Sequence, residues 1–173
     1  MNNVKIYPSA KLIGIEHIEF GHDIIIDDFV FIYAKKRILI GNYVHIAAFT
    51  LITGGEEVML SDFCGISAGC RIFTATDDFA GPGFGNPTIP EEYRNVQRAP
   101  VKLERFAIVG ANSVILPGVT LGEGVSVGAN SVVTRNLEPW GVYVGNRRVR
   151  ERDRSAVLSN FERFRLKHEH SER

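Results

Sequence analysis

The chain has 173 residues, 45% of them hydrophobic and 23% charged, enough for one buried core in a single domain. Its 20 basic residues balance 20 acidic ones, so no overall field draws it to nucleic acid or to a membrane surface. Neither a charged leader nor a run of about eighteen apolar residues is present, which argues against secretion and membrane spanning. Cys64 and Cys70 lack zinc-ligand spacing and read as reduced, packed thiols of a cytoplasmic protein.

The first half of the chain looks irregular until it is folded on a period of twenty. Ile6, Ile26, Ile46 and Ile66 then align, as do Leu12, Ile32, Ile52 and Ile72, with Phe20, Ile40 and Leu60 as a third column. Two six-residue steps and one eight-residue step describe a triangular coil whose short strands stack on their equivalents in the next coil. The positions four beyond the first column, Ala10, Val30, Thr50 and Cys70, are small or β-branched and suit a tight corner.

After Ile72 the third column is missing until Leu103, thirty-one residues on. The intervening segment, about 74–100, holds four of the seven prolines and three glycines, and reads as a loop thrown out from one corner. Long loops in compact domains are often functional. The repeat then resumes with a period of eighteen, and from Val109 to Val133 an aliphatic residue returns every six positions at Val109, Ile115, Leu121, Val127 and Val133. One inward aliphatic per hexapeptide defines a parallel β-helix. Pro139, Trp140 and Gly141 break the repeat, and Val142 and Val144 read as a last strand. Residues 147–173 carry nine basic and five acidic side chains. Val157, Leu158, Phe161 and Phe164 share one side of a helical wheel there, which predicts a basic helical cap for the open end of the solenoid.

The stretch VGANSVILPGVTLGEGVSVGANSVVTRN, followed by PWGVYVGN, resembles the hexapeptide-repeat acyltransferases, which include galactoside and maltose acetyltransferases and amino-sugar N-acetyltransferases. The resemblance implies an all-β, left-handed parallel β-helix over residues 1–146. It also implies a homotrimer with its active sites between subunits, acetyl-CoA as acyl donor, and a sugar acceptor of cell-surface polysaccharide synthesis. In such proteins the positions matching Ala111, Ala129, Thr134 and Arg135 line the coenzyme. Where the family runs into Pro-Ala, Gly145 and Asn146 here continue into Arg147 and Arg148, two further cations for the nucleotide phosphates.

The family also carries a catalytic histidine where the inserted loop leaves the helix. This chain has Thr76, Asp77, Asp78 and Phe79 at that place and no histidine anywhere in the loop. A hydroxyl acceptor needs a base as it attacks, whereas a neutral amine is already nucleophilic, so the substitution favours an amino sugar or nucleotide-linked sugar. Asp77 and Asp78 either orient the amine and take its proton or cap the turns of the loop. His45, after Val44 at a corner of the second coil, is the other candidate base, delivered by a neighbouring subunit. His17, His22, His168 and His170 form no constellation. Phe79, Phe84 and Tyr93 can stack on the acceptor, with Asn86, Arg94, Asn95, Gln97 and Arg98 as donors, or pin the loop to the helix. Three alternatives stand beside this reading. A sugar O-acetyltransferase would need an atypical base. A non-catalytic binding trimer would need no base at all. A zinc enzyme of the γ-carbonic anhydrase type would need three converging histidines, and only His45 lies mid-helix, so no metal is expected.

Overall fold

The computed structural model describes residues 3–169, and the predicted His170 lies outside that range. Three parallel sheets form the sides of a triangular solenoid. The first stacks Val4–Ile6, Ile24–Ile26, His45–Ile46, Gly65–Ile66, Ile108–Val109, Ser126–Val127 and Gly141–Val144. The second stacks Lys11–Ile13, Phe31–Ala34, Leu51–Gly54, Arg71–Phe73, Val114–Ile115 and Val132–Val133. Ile18–Phe20, Ile38–Ile40, Val58–Leu60, Val101–Leu103 and Thr120–Leu121 make the third.

The columns read from the sequence are the register of these sheets. Ile6, Ile26, Ile46, Ile66, Val109, Val127 and Tyr143 are successive partners in the first. Leu103 pairs with Leu60 across the insertion, so the coil resumes in register after the loop. Ile46, Ile52, Leu60, Ile72, Leu103 and Ile115 are fully buried. Each such side chain contributes on the order of 1.5–3 kcal/mol relative to exposure. Backbone groups are satisfied from coil to coil even through the corners, as where Tyr43 N–H donates to His22 O and Phe63 N–H to Asn42 O.

Two corners turn through left-handed backbone in most coils, and the third does so at Gly14 and Gly118. At one, Phe29, Phe49, Gly69, Asn112 and Asn130 follow one another with φ between 56° and 74°. At the other the same conformation is taken by Asp23, Tyr43, Phe63, Phe106, Gly124 and Trp140. A β-carbon at Gly124 would lie 2.4 Å from the Trp140 ring, so the missing side chain makes room for the indole. Tyr43 stacks on Phe63 with centroids 4.9 Å apart, and Phe63 meets Phe106 at 5.4 Å.

The tail differs in detail from the expected cap. Arg147–Glu151 is a strand that doubles back antiparallel on Gly141–Val144 and closes the last coil. The helix, Arg154–Glu169, runs along the flank: Phe161 packs on Phe63 and Phe106, and Phe164 on Tyr43 and Phe63. Its Val157, Leu158, Phe161 and Phe164 are half-buried, as the helical wheel predicts. The chain enters the helix through Arg152, whose guanidinium donates to Phe106 O and Gly124 O at 2.7 and 3.0 Å. Asp153 caps the first turn by accepting from Ala156 N–H and Ser155 Oγ.

Ile66→Ala is expected to lose about 2–5 kcal/mol of unfolding free energy in a denaturant titration, whereas Leu166→Ala on the exposed side of the helix changes it by less than about 0.5 kcal/mol.

Candidate active site

The inserted loop is tied to the solenoid by a two-stranded antiparallel pair, Ala75–Thr76 with Gln97–Arg98, so its two ends leave and return side by side. Between this pair and the second sheet lies a cleft of about 410 Å³, lined among others by Tyr33, Lys35, Thr53, Phe73, Asp77, Arg94 and Arg98. Tyr33, Thr53 and Phe73 occupy one register position in three successive coils. Strand spacing therefore sets the two aromatic backbones roughly 9.6 Å apart with the smaller threonine between them. Lys35 Nζ stands 5.5 Å from the Tyr33 ring centroid. Asp77 accepts from Asn86 N–H at 3.2 Å and from Arg94 Nη2 at 3.4 Å. Arg94 Nε is buried with no partner among the described residues.

Asp78, next in the chain, is differently employed. Its carboxylate accepts from Ala80 N–H (2.7 Å), Gly81 N–H (3.2 Å), Gly83 N–H (3.0 Å) and Asn95 Nδ2 (3.0 Å). The Asn95 amide above all, and then these backbone donors, hold its carboxyl below the usual range. Of the two aspartates, only Asp77 lines the cleft.

The loop residues expected to grip an acceptor separate in the same way. Arg94 lines the cleft. Phe84 and Tyr93 join Arg94 around a smaller hollow of about 250 Å³ within the loop, where Phe84 N–H donates to Tyr93 O. Asn86 holds a turn through Thr88 N–H and Thr88 Oγ1, and Phe79 is 93% exposed and lines neither space. Tyr33, Lys35, Thr53 and Phe73 face outward from the coils and share no residue type, so sequence reasoning missed them; the spacing of twenty from Tyr33 to Thr53 to Phe73 was the available clue.

At the other end of the solenoid, Arg135, Arg147 and Arg148 converge on a second hollow of about 670 Å³ with Asn136, Glu138 and Asn146. Thr134 braces its rim: Thr134 N–H donates to Asn146 Oδ1 at 2.9 Å, and Asn146 Nδ2 donates to Thr134 Oγ1 at 2.6 Å. Ala111 and Ala129 sit apart from it, each one residue before a left-handed asparagine of the first corner and linked there by Asn130 N–H donating to Ala111 O. His45 lies on a strand of the first sheet, in the third coil counted from Ile6, and not at a corner of the second. Its Nε2 is 3.0 Å from Asp27 Oδ2. Among the described residues no three His, Cys, Asp or Glu side chains converge to hold a metal, and no helix is long and apolar enough to cross a membrane. Cys64 and Cys70 are buried and unbridged, and burial pushes the Cys64 thiol up to about 12.

A solenoid of hexapeptides with one looped cleft and one basic hollow is the architecture of an acyl-transferring β-helix, and comparison with known proteins agrees. The family described as "Bacterial transferase hexapeptide (six repeats)" matches residues 100–135. The Escherichia coli dTDP-4-amino-4,6-dideoxy-D-glucose acyltransferase is 38% identical over 144 residues, which span 83% of this chain and 75% of the relative. AntD, an N-acyltransferase from Bacillus cereus solved with dTDP and 3-hydroxybutyryl-CoA, is 38% identical and superposes with a TM-score of 0.90 over 96% of this chain and 89% of its own. Solved variants of AntD, in complexes with coenzyme A and either dTDP or dTDP-4-amino-4,6-dideoxyglucose, carry substitutions at one serine or at an aspartate ten positions further on. A hexapeptide-repeat acetyltransferase from Vibrio cholerae O1 biovar eltor, solved with acetyl coenzyme A, shares the fold at 23% identity, with a TM-score of 0.54 over 87% of this chain and 68% of its own. The chain belongs to the hexapeptide-repeat acyltransferases, and its coil is left-handed as theirs is. It is an acyltransferase.

Because folding lowers the pKa of Asp78, its hold on the loop is present above its ordinary value of 3.8 and is lost as pH falls through the depressed folded value. Hydrogen-exchange protection at the Gly81 and Gly83 amides is expected to collapse in that acid window, and Asp78→Asn to weaken it already at neutral pH.

Proposed function

We propose that this enzyme transfers an acetyl group from acetyl-CoA to the amine of a nucleotide-linked amino sugar used in cell-surface glycan synthesis. The observation that carries the reading is the cleft, in which one carboxylate, Asp77, stands among Lys35, Arg94 and Arg98 over Tyr33 and Phe73. The carboxylate accepts from the sugar amine and aims its lone pair, the cations neutralise a diphosphate, and the aromatic pair takes the flat base. The relatives solved with dTDP, a dTDP-linked amino sugar and coenzyme A support this acceptor and donor. Ser67 and Asp77 in this chain are a serine and an aspartate ten positions apart, the spacing of the residues substituted in AntD.

The amine attacks the thioester carbonyl, the C–N bond forms, the C–S bond breaks, and coenzyme A leaves as its thiol. Arg135, Arg147 and Arg148 receive the coenzyme's phosphates, and the narrow pantetheine arm runs past the small Ala129 and Ala111 toward the loop. The active unit is a homotrimer. Ile25, Phe29, Phe49, Ile108 and Val132, each 40–61% exposed, lie on the first and second sheets and the corner joining them. The outward row of the third sheet is Glu19, Leu39, Met59, Lys102 and Thr120, with a charge at two of its five positions. Burial against another copy removes this apolar surface from water. Unbridged Cys64 and Cys70 are consistent with a cytoplasmic setting.

The test is release of free thiol from acetyl-CoA with dTDP-4-amino-4,6-dideoxyglucose as acceptor. Turnover is expected with the amine and not with the corresponding 4-hydroxy sugar; equal rates with both, or none with either, would refute the reading. Asp77→Asn is expected to lower kcat/KM for the amino sugar by about 10²-fold. The double variant Arg147→Ala, Arg148→Ala is expected to raise KM for acetyl-CoA about tenfold while leaving KM for acetyl-pantetheine, which lacks the nucleotide phosphates, unchanged.

A further inference from the structure

The cleft supplies Asp77 as an orienting carboxylate, and no histidine among the described residues lines it. Asp78 is occupied by four donors and Asp77 already carries two hydrogen bonds. As the amide forms, the nitrogen that has attacked the thioester must lose a proton and the departing thiolate must gain one.

We infer that His45, oriented by Asp27 and contributed by the neighbouring copy of the chain, carries this proton. A carboxylate only accepts, so the contact between His45 Nε2 and Asp27 Oδ2 places the imidazole proton on Nε2 and leaves Nδ1 as the free acceptor. The side chains are 52% and 30% exposed, so the ring reaches solvent while its orienting partner is partly shielded. In the sheet His45 is in register with Ile25 on one side and Gly65 on the other. Neither is charged, so Asp27 is the carboxylate that faces the ring. A β-carbon built at Gly65 would meet nothing within 4 Å, which leaves an open notch beside the imidazole. A glycine inside a strand commonly marks such a close approach by a ligand. Ser67, which shares with Asp77 the spacing of the substituted AntD pair, follows Ile66 on this same face.

The other described histidines are placed for different work. His17 lies beside Glu16, His22 binds Asp23 and abuts Tyr43, and His168 packs on Phe164 one turn back along the same helix. His45 projects from the first sheet and Asp77 lies over the second, around the Phe29–Phe49 corner, so one copy does not present both to one substrate. The first sheet of a second copy laid over the cleft does, a step that rests on the trimeric reading above. His45 Nδ1 then takes the proton from the attacking nitrogen and returns it to the thiolate sulfur, so the products are the amide and free coenzyme A thiol.

The experiment follows thiol release by the wild-type trimer and by His45→Asn, His45→Gly and Asp27→Asn, each first shown by sedimentation to keep the wild-type mass. His45→Asn is expected to lower kcat by about 10²-fold with both KM values within about threefold. Exogenous imidazole should restore turnover in His45→Gly, and Asp27→Asn should lower kcat by about tenfold. Mixed trimers assembled from equal amounts of His45→Asn and Asp77→Asn chains should recover about a quarter of wild-type activity if the two residues meet across an interface, and none if they act within one copy. A working wild type whose His45→Asn variant matches it in kcat overturns the base alone. A wild type that releases no thiol with the amino sugar overturns the transferase reading and the base together.

Discussion

Everything in this molecule depends on coils that lie in register, because the backbone of each coil is satisfied by the next. That requirement fixes the two corners at which most coils pass through left-handed backbone. For an L-residue this conformation costs roughly 1–2 kcal/mol. At the corner occupied by Tyr43, Phe63, Phe106 and Trp140 the cost is met with aromatic rings, which stack between coils and then receive the helix. Aromatic pairs contribute about 0.5–1.5 kcal/mol each beyond their burial. At the other corner Phe29 and Phe49 stack in the open, and the coils below use glycine and asparagine, which tolerate the conformation without help. The same constraint thus produces a closed flank and an exposed apolar edge.

Register also explains how the solenoid tolerates an insertion of this length. The loop leaves after Phe73 and returns to Val101, and the returning strand finds Val58–Leu60 waiting with its hydrogen bonds unfilled. The antiparallel clip of Ala75–Thr76 with Gln97–Arg98 brings the loop's ends together, so the order of its interior is independent of the core. The acceptor cleft is consequently built from two kinds of material. Tyr33, Thr53 and Phe73 are held by sheet register, whereas Asp77 and Arg94 are held by hydrogen bonds within the loop.

What was legible in the sequence was whatever the core repeats. Inward aliphatics such as Ile46 and Leu103 are selected by one environment many times over, so the columns, the insertion after Ile72 and the helical face of Phe161 and Phe164 could all be read. Outward residues answer to separate partners and share no residue type, even where they stand twenty apart as Tyr33, Thr53 and Phe73 do. Tyr33, Lys35 and Phe73 were therefore invisible as a cleft, and Asp27 as the partner of His45, although eighteen residues separate that pair in a coil of twenty. The loop side chains divide for the opposite reason. Aromatic and polar composition marks a binding loop, but only local hydrogen bonding decides which side chains look inward, and Phe79 and Asn86 do not. The strand Arg147–Glu151 was hidden because its five residues are exposed and mostly charged, as suits an edge.

That edge strand has a consequence for self-association along the axis. A stack of parallel coils ends, in principle, in a row of unpaired peptide groups that could seed the addition of another chain, as in cross-β growth. Here the last coil is met by a strand running the other way, which carries Arg147, Arg148, Arg150 and Glu151 along the terminus. A further parallel coil would face reversed polarity and a fence of charge. The device that shapes the basic hollow is thus also a stop signal, keeping a fold that repeats by nature from repeating without limit.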